Sequence, residues 1–233
     1  MKKIVCFVLL GGLSFGAHAT DYDLLTPYVG FNAQVRDLGF KKGYGKENFA
    51  SMLPQGEVVA GFKVNPYLGF ELGYLRSIER HRNATVSSPS TLLGDPLPSG
   101  EYVVSNNSSR IDGAGASIVG FLPINEDIQL LGSVGIARLR VKLHHVPTGD
   151  NFNPVYTPAI FAEATRDFVA CKYVPQVKVG VQYMLSQVVG LKGMIGWDGT
   201  KRFDLLINKQ AKPARVSLKD SYNVGLGLAY YFN

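Results

Sequence analysis

Hydrolysis or acyl transfer by a side-chain nucleophile needs a base beside it, and histidine is the usual one. Downstream of residue 19 the chain carries His81, His144 and His145. No serine accompanies His144-His145, and Thr148 lies beyond Pro147. The pair offers two imidazoles to a metal, yet no carboxylate follows at ligand spacing. These residues predict no catalytic site, no metal and no cofactor. Cys171 is the one cysteine beyond Cys6; it reads as a tolerated free thiol in a loop, with no intramolecular disulfide. Asn83-Ala84-Thr85 and Asn107-Ser108-Ser109 match a glycosylation pattern but read as chance loop sequence.

The remaining chemistry is charge. Glu57, Lys63, Glu71, Lys178 and Lys192 each interrupt a run of apolar and small residues, as does Arg36. Other cations gather in polar segments. Residues 198–215 hold Lys201, Arg202, Lys209, Lys212 and Arg215 against Asp198 and Asp204. Residues 37–54 hold Lys41, Lys42 and Lys46 against Asp37 and Glu47. Arg76, Arg80, His81 and Arg82 form a third group, and Arg138, Arg140 and Lys142 a fourth.

The elements that position these charges follow from periodicity. At the end of the chain Tyr222, Val224, Leu226, Leu228, Tyr230 and Phe232 occupy one parity, and Ser221, Asn223, Gly225, Gly227 and Ala229 the other. A period of two over that length specifies a strand with one apolar face. It also matches the ~9–11 tilted residues that cross a bilayer. The signature recurs around Val29–Val35, Val58–Val64, Leu68–Tyr74, Ala114–Ile118, Leu130–Ile136, Val177–Tyr183 and Val189–Trp197. Eight strands result. Short turns fall at Asn65-Pro66, at Pro123 to Asp127 and around Ser186-Gln187, and long polar connections at about 37–54, 77–110, 143–173 and 198–215. This alternation predicts an all-β, eight-stranded antiparallel up-and-down transmembrane barrel with both termini on the short-turn side.

A soluble ligand-binding barrel also alternates, but its solvent face carries many Lys, Glu, Asp and Thr. Here the polar face is mostly Gly, Ser, Asn and Gln, which suits a crowded interior. The apolar face is therefore expected to meet lipid, with aromatic residues at both of its ends. Residues 1–19 stand apart: Lys2 and Lys3, an apolar run from Ile4, and Ala17-His18-Ala19 predict a signal peptide cleaved after Ala19, leaving residues 20–233 as one barrel domain. Losing those two lysines trims the formal charge of +6 to a mild excess, which does not suggest nucleic acid.

Gly69-Phe70-Glu71-Leu72-Gly73-Tyr74, Asp112 to Ser117 with Gly120 to Pro123, and Tyr222 to Phe232 resemble corresponding strands of the outer membrane protein A-like β-barrel family. The resemblance covers about residues 22–233. It implies the outer membrane of a Gram-negative bacterium, with outer-membrane lipid and lipopolysaccharide as surroundings. It also implies the barrel-assembly machinery as a partner during insertion. Family members often end on an aromatic residue, whereas here Asn233 follows Phe232. Full-length members carry a peptidoglycan-binding domain that has no counterpart here, so peptidoglycan tethering is not expected.

On this frame Glu57, Lys63, Glu71, Lys178 and Lys192 point into the lumen, with Arg36 near the outer rim. Charges in a narrow lumen must be paired or hydrated. A salt-bridge network that plugs the barrel is expected, with Glu71 and Lys63 on adjoining strands as one bridge. The alternative is a narrow, porin-like path gated by those pairs. Arg80, Arg82, Lys201, Arg202, Lys209 and Lys212 form a basic surface patch suited to lipopolysaccharide phosphates or to acidic host surface molecules, as in adhesion. The expected protein is monomeric, or at most weakly associating, and mainly structural, with surface loops available for binding.

Overall fold

The computed structural model describes residues 25–41, 44–87, 91–92, 95–96, 102–148, 166–199, 203–206 and 215–232. The signal-cleavage position Ala19 and the basic residues Lys201, Arg202, Lys209 and Lys212 lie outside them.

The strands are β1 (Thr26–Asp37), β2 (Met52–Asn65), β3 (Leu68–Ser77), β4 (Arg80–Ser87), β5 (Thr91–Leu92), β6 (Asp95–Pro96), β7 (Tyr102–Pro123), β8 (Ile128–Thr148), β9 (Arg166–Met184), β10 (Val189–Asp198), β11 (Phe203–Leu206), β12 (Arg215–Leu218) and β13 (Ser221–Tyr231). One short helix, α1 (Tyr44–Asn48), sits between β1 and β2. Eight strands close antiparallel in the order β1-β2-β3-β7-β8-β9-β10-β13, with β13 returning to β1. Closure leaves no free sheet edge within the bilayer, where an unpaired backbone group is costly. Beyond Ile78-Glu79, β4 carries the line of β3 upward along β7.

Register fixes the shape of the ring. From Phe31, pairing leads one way through Val58, Tyr74, Ala114 and Arg138 to Tyr173. The other way it leads through Leu228 and Leu191 to Tyr183 on the same strand. The two paths meet β9 ten residues apart. That stagger tilts the strands by roughly 35–45° and sets an interior about as wide as its side chains.

The tight turns are made by side chains suited to them. Asn65 Oδ1 accepts from the amides of Tyr67 and Leu68 (2.8 Å each), and Asn125 Oδ1 from those of Asp127 (3.0 Å) and Ile128 (2.7 Å). Ser186 Oγ does the same for Val188 and Val189 at 3.4 and 3.2 Å. Such short polar side chains mimic a backbone turn. At the other end Gly39 adopts φ +28°, where a Cβ would collide with the Asp220 carbonyl.

The outward face is apolar across the middle of the ring, including Phe31, Val58, Leu72, Ile118, Val134, Val179, Ile195 and Leu226. Tyr67, Tyr183, Tyr230 and Phe232 edge it on the short-turn side, and Tyr74, Tyr173 and Tyr222 on the other. Inside, small residues make room: a Cβ on Gly61 would meet the Tyr28 ring.

The strands run further than sequence periodicity suggested. Much of 77–110 and 143–173, expected as loops, is strand in β4, β7, β8 and β9. Cys171 is an exposed strand residue of β9, not a loop residue. Asp198 is the buried last residue of β10. On the β8 extension the period of two persists, but its polarity reverses. Arg138, Arg140 and His144 face outward while Leu139, Val141 and Leu143 are buried inside.

Candidate functional site

Two arrangements hold the chemistry-bearing residues: a charge ladder inside the barrel and a basic surface outside it.

The ladder has three rungs. Arg36 ends its inward row on β1 fully buried, and its Nη1 donates to Asp198 of β10. Its Nε donates to Gln55 Oε1 (3.0 Å), while Gln176 Nε2 (2.6 Å) and Ser221 Oγ (3.0 Å) donate to the Asp198 carboxylate. In the middle, Lys178 Nζ donates to Glu57 Oε1 at 2.6 Å, and Asn32 (3.0 Å) and Gln34 (2.5 Å) donate to Oε2. Lower down, Lys192 Nζ lies 3.2 Å from Glu71 Oε1, which also accepts from the Tyr28 hydroxyl at 3.0 Å. Each carboxylate thus meets one cation and further donors, which offsets the cost of burying charge.

Lys63 takes a different position from the bridge to Glu71 expected on adjoining strands. Its ammonium lies 4.3 Å from the Phe121 ring centre and 4.7 Å from that of Tyr231, and donates to Gln129 Oε1 at 3.4 Å. Ring faces stabilise a cation where no carboxylate is in reach. The partner of Glu71 is Lys192, from the far wall. Sequence adjacency missed it because the pairing crosses the lumen, which only the closed ring defines.

Apolar clusters close the ladder at both ends. Tyr28, Val119, Phe121, Leu131, Ala229 and Tyr231 pack at the short-turn end. Above Arg36, Phe49, Leu53, Leu75, Leu139, Val141 and Phe168 belong to a larger core. Phe49 stands edge-on to Phe168 with centroids 6.0 Å apart.

Outside, Arg76, Arg138 and Arg140 are exposed and Arg110 and Lys142 half-buried, all on outward positions of β3, β7 and β8. Arg80 and Arg82 are exposed on β4, and Arg82 Nη1 donates to the backbone oxygens of Lys46 (3.0 Å) and Phe49 (3.3 Å). The adjacent histidines separate onto two faces. His144 Nδ1 lies 2.5 Å from Asp167 Oδ1 on the exposed face, and His145 is buried with Nδ1 2.5 Å from Asn107 Oδ1. Asp167 reaches His144 across the β8–β9 register, a relation sequence spacing does not display. Among the described residues no three His, Cys, Asp or Glu side chains converge as a metal site.

A closed eight-stranded ring with a lipid-facing exterior and a filled lumen defines a transmembrane β-barrel. The chain belongs to the outer membrane protein beta-barrel domain family, whose model matches residues 6–232. It is an outer-membrane protein of the Gram-negative type. No curated protein matches it in sequence. Among solved structures it is similar to Neisserial surface protein A (NspA), at 13% identity and TM-score 0.52, covering 88% of this chain and 97% of that one. It is similar also to OprG from Pseudomonas aeruginosa, at 11% identity and TM-score 0.52, covering 90% and 96%. At these identities the likeness concerns the fold.

Proposed function

We propose that the protein is a structural barrel that carries no current through its lumen and works from its basic extracellular surface, in contact with lipopolysaccharide. The observation that carries this reading is the filled lumen. Two ion pairs cross it, a third joins β1 to β10 past β13, and an apolar cluster lies beyond them at each end. A channel gated by salt bridges would have to part both clusters as well as the pairs. The surface outside needs no such rearrangement. Its cations stand above the lipid-facing band, where phosphate groups neutralise them. The same charge suits acidic host glycans, and the strands that raise β7–β9 above the bilayer favour adhesion as a second use.

Conductance of the purified protein in planar bilayers tests the reading. Silence is expected for the wild type and for the Glu57→Ala, Lys178→Ala double variant. Discrete steps in the wild type, altered by that double change, would establish the gated channel instead.

A further inference from the structure

The outward cations are not spread round the ring. On β3 Arg76 follows Tyr74 by one outward position, and on β8 Arg138 follows Ile136. Arg140 and Lys142 continue β8, and Arg110 stands beside Lys142 in register. Asp112 is the one carboxylate set among them, in register with both Arg76 and Arg140. Neighbouring strands lie ~4.8 Å apart and alternate residues ~6.7 Å along a strand, so five cations share one compact wall. None of the five makes an ion pair with a described residue, and Arg110 Nε is buried with no hydrogen-bond partner. At outward positions near the same end, β1, β2, β10 and β13 show Asp37, Met52, Trp197 and Tyr222 instead.

We propose that the wall formed by β3, β7 and β8 is a binding site for a phosphorylated lipid of the outer leaflet, with Arg76, Arg110, Arg138, Arg140 and Lys142 meeting its phosphates. The inference rests on the lipopolysaccharide reading above and narrows it to one side of the barrel. What selects a lipid over a soluble polyanion is continuity. Arg76 and Arg138 adjoin the apolar band, and directly below them Leu72, Ala116, Ile118 and Val134 face outward. A lipid lying along these strands places acyl chains on that apolar surface and phosphate on the guanidinium groups. Arginine holds phosphate through paired, charge-assisted hydrogen bonds.

The experiment inserts the full chain into phosphatidylcholine nanodiscs doped with lipopolysaccharide, native or dephosphorylated, and counts lipopolysaccharide retained per barrel. Variants are R76Q/R138Q/R140Q, the charge-keeping R76K/R138K/R140K, and K41Q as an off-wall control. Each is first checked for the gel shift on boiling that marks a folded barrel. The wild type should concentrate the phosphorylated lipid and not the dephosphorylated one. The glutamine variant should lose at least ~10-fold of that retention, with the lysine variant falling between it and wild type and the control within ~2-fold of wild type. If the triple variant does not fold, Arg138→Gln alone should still lower retention, and no change there counts against the site. Equal retention by wild type and wall variants would overturn the wall while leaving the lipopolysaccharide reading intact. No enrichment by the wild type would overturn both. Wall-dependent capture of soluble heparin, with lipid retention unchanged by the wall variants, would assign the surface to a polyanion instead.

Discussion

The lower and upper halves of β8 are built on the same alternation and opposite chemistry. Within the membrane Val134 and Ile136 face out, and Ser133 and Gly135 face the lumen. A few residues on, Arg140 and His144 face out, and Leu139, Val141 and Leu143 are packed inside. The backbone does not change direction or parity between them; the solvent does. A period of two therefore identifies a strand, and only the polarity of each parity says what surrounds it. The upper half is a water-soluble barrel wall standing on a membrane-soluble one. Its apolar filling also caps the charge ladder beneath.

The comparison can be broken at either half. The largest effect is expected where the ladder meets the upper core. Asp198→Ala leaves the buried Arg36 guanidinium without its carboxylate, and should cost about 3–5 kcal/mol in reversible urea unfolding. Asp198→Asn, which keeps a hydrogen-bonding side chain, should cost less. Phe168 is fully buried in the upper core beside Phe49, so Phe168→Ala should cost about 3–5 kcal/mol in the same assay, with the gel shift on boiling retained. Leu226→Arg puts a charge on the lipid face near the middle of the bilayer, at roughly 2–4 kcal/mol. Less folded protein should reach the outer membrane, and normal assembly would refute the inside–outside assignment. The smallest effect is expected for Val169→Arg, an outward position of β9 above the lipid. If that half faces water, stability should change by no more than about 0.5 kcal/mol.

The same comparison explains what the sequence displayed. Strand number, the tight turns at Asn65, Asn125 and Ser186, and the inward parity of Glu57, Glu71, Lys178 and Lys192 are local, and local alternation carries them. The upper half of β8 was legible in principle, since Arg138 to His144 alternates cleanly with Leu139, Val141 and Leu143. The apolar signature ends short of the strand, because the outward parity turns charged there. Asp198 was hidden for a related reason: a charged residue at the end of an apolar run resembles the start of a loop. The pairing of Glu71 with Lys192 was not legible. Its partners are 121 residues apart, and which side chains meet across the lumen depends on strand tilt and stagger.

The most direct measurement of the reversal is thiol labelling on intact cells with a charged, membrane-impermeant maleimide. Cys171 is exposed on the upper half of β9, and Leu226→Cys in a Cys171→Ser background places a thiol on the lower half of β13. The account predicts prompt labelling at 171, and at 226 none until the protein is unfolded out of the membrane. Labelling at 226 with protection at 171 would contradict it, showing that the polarity of the two halves had been assigned the wrong way round.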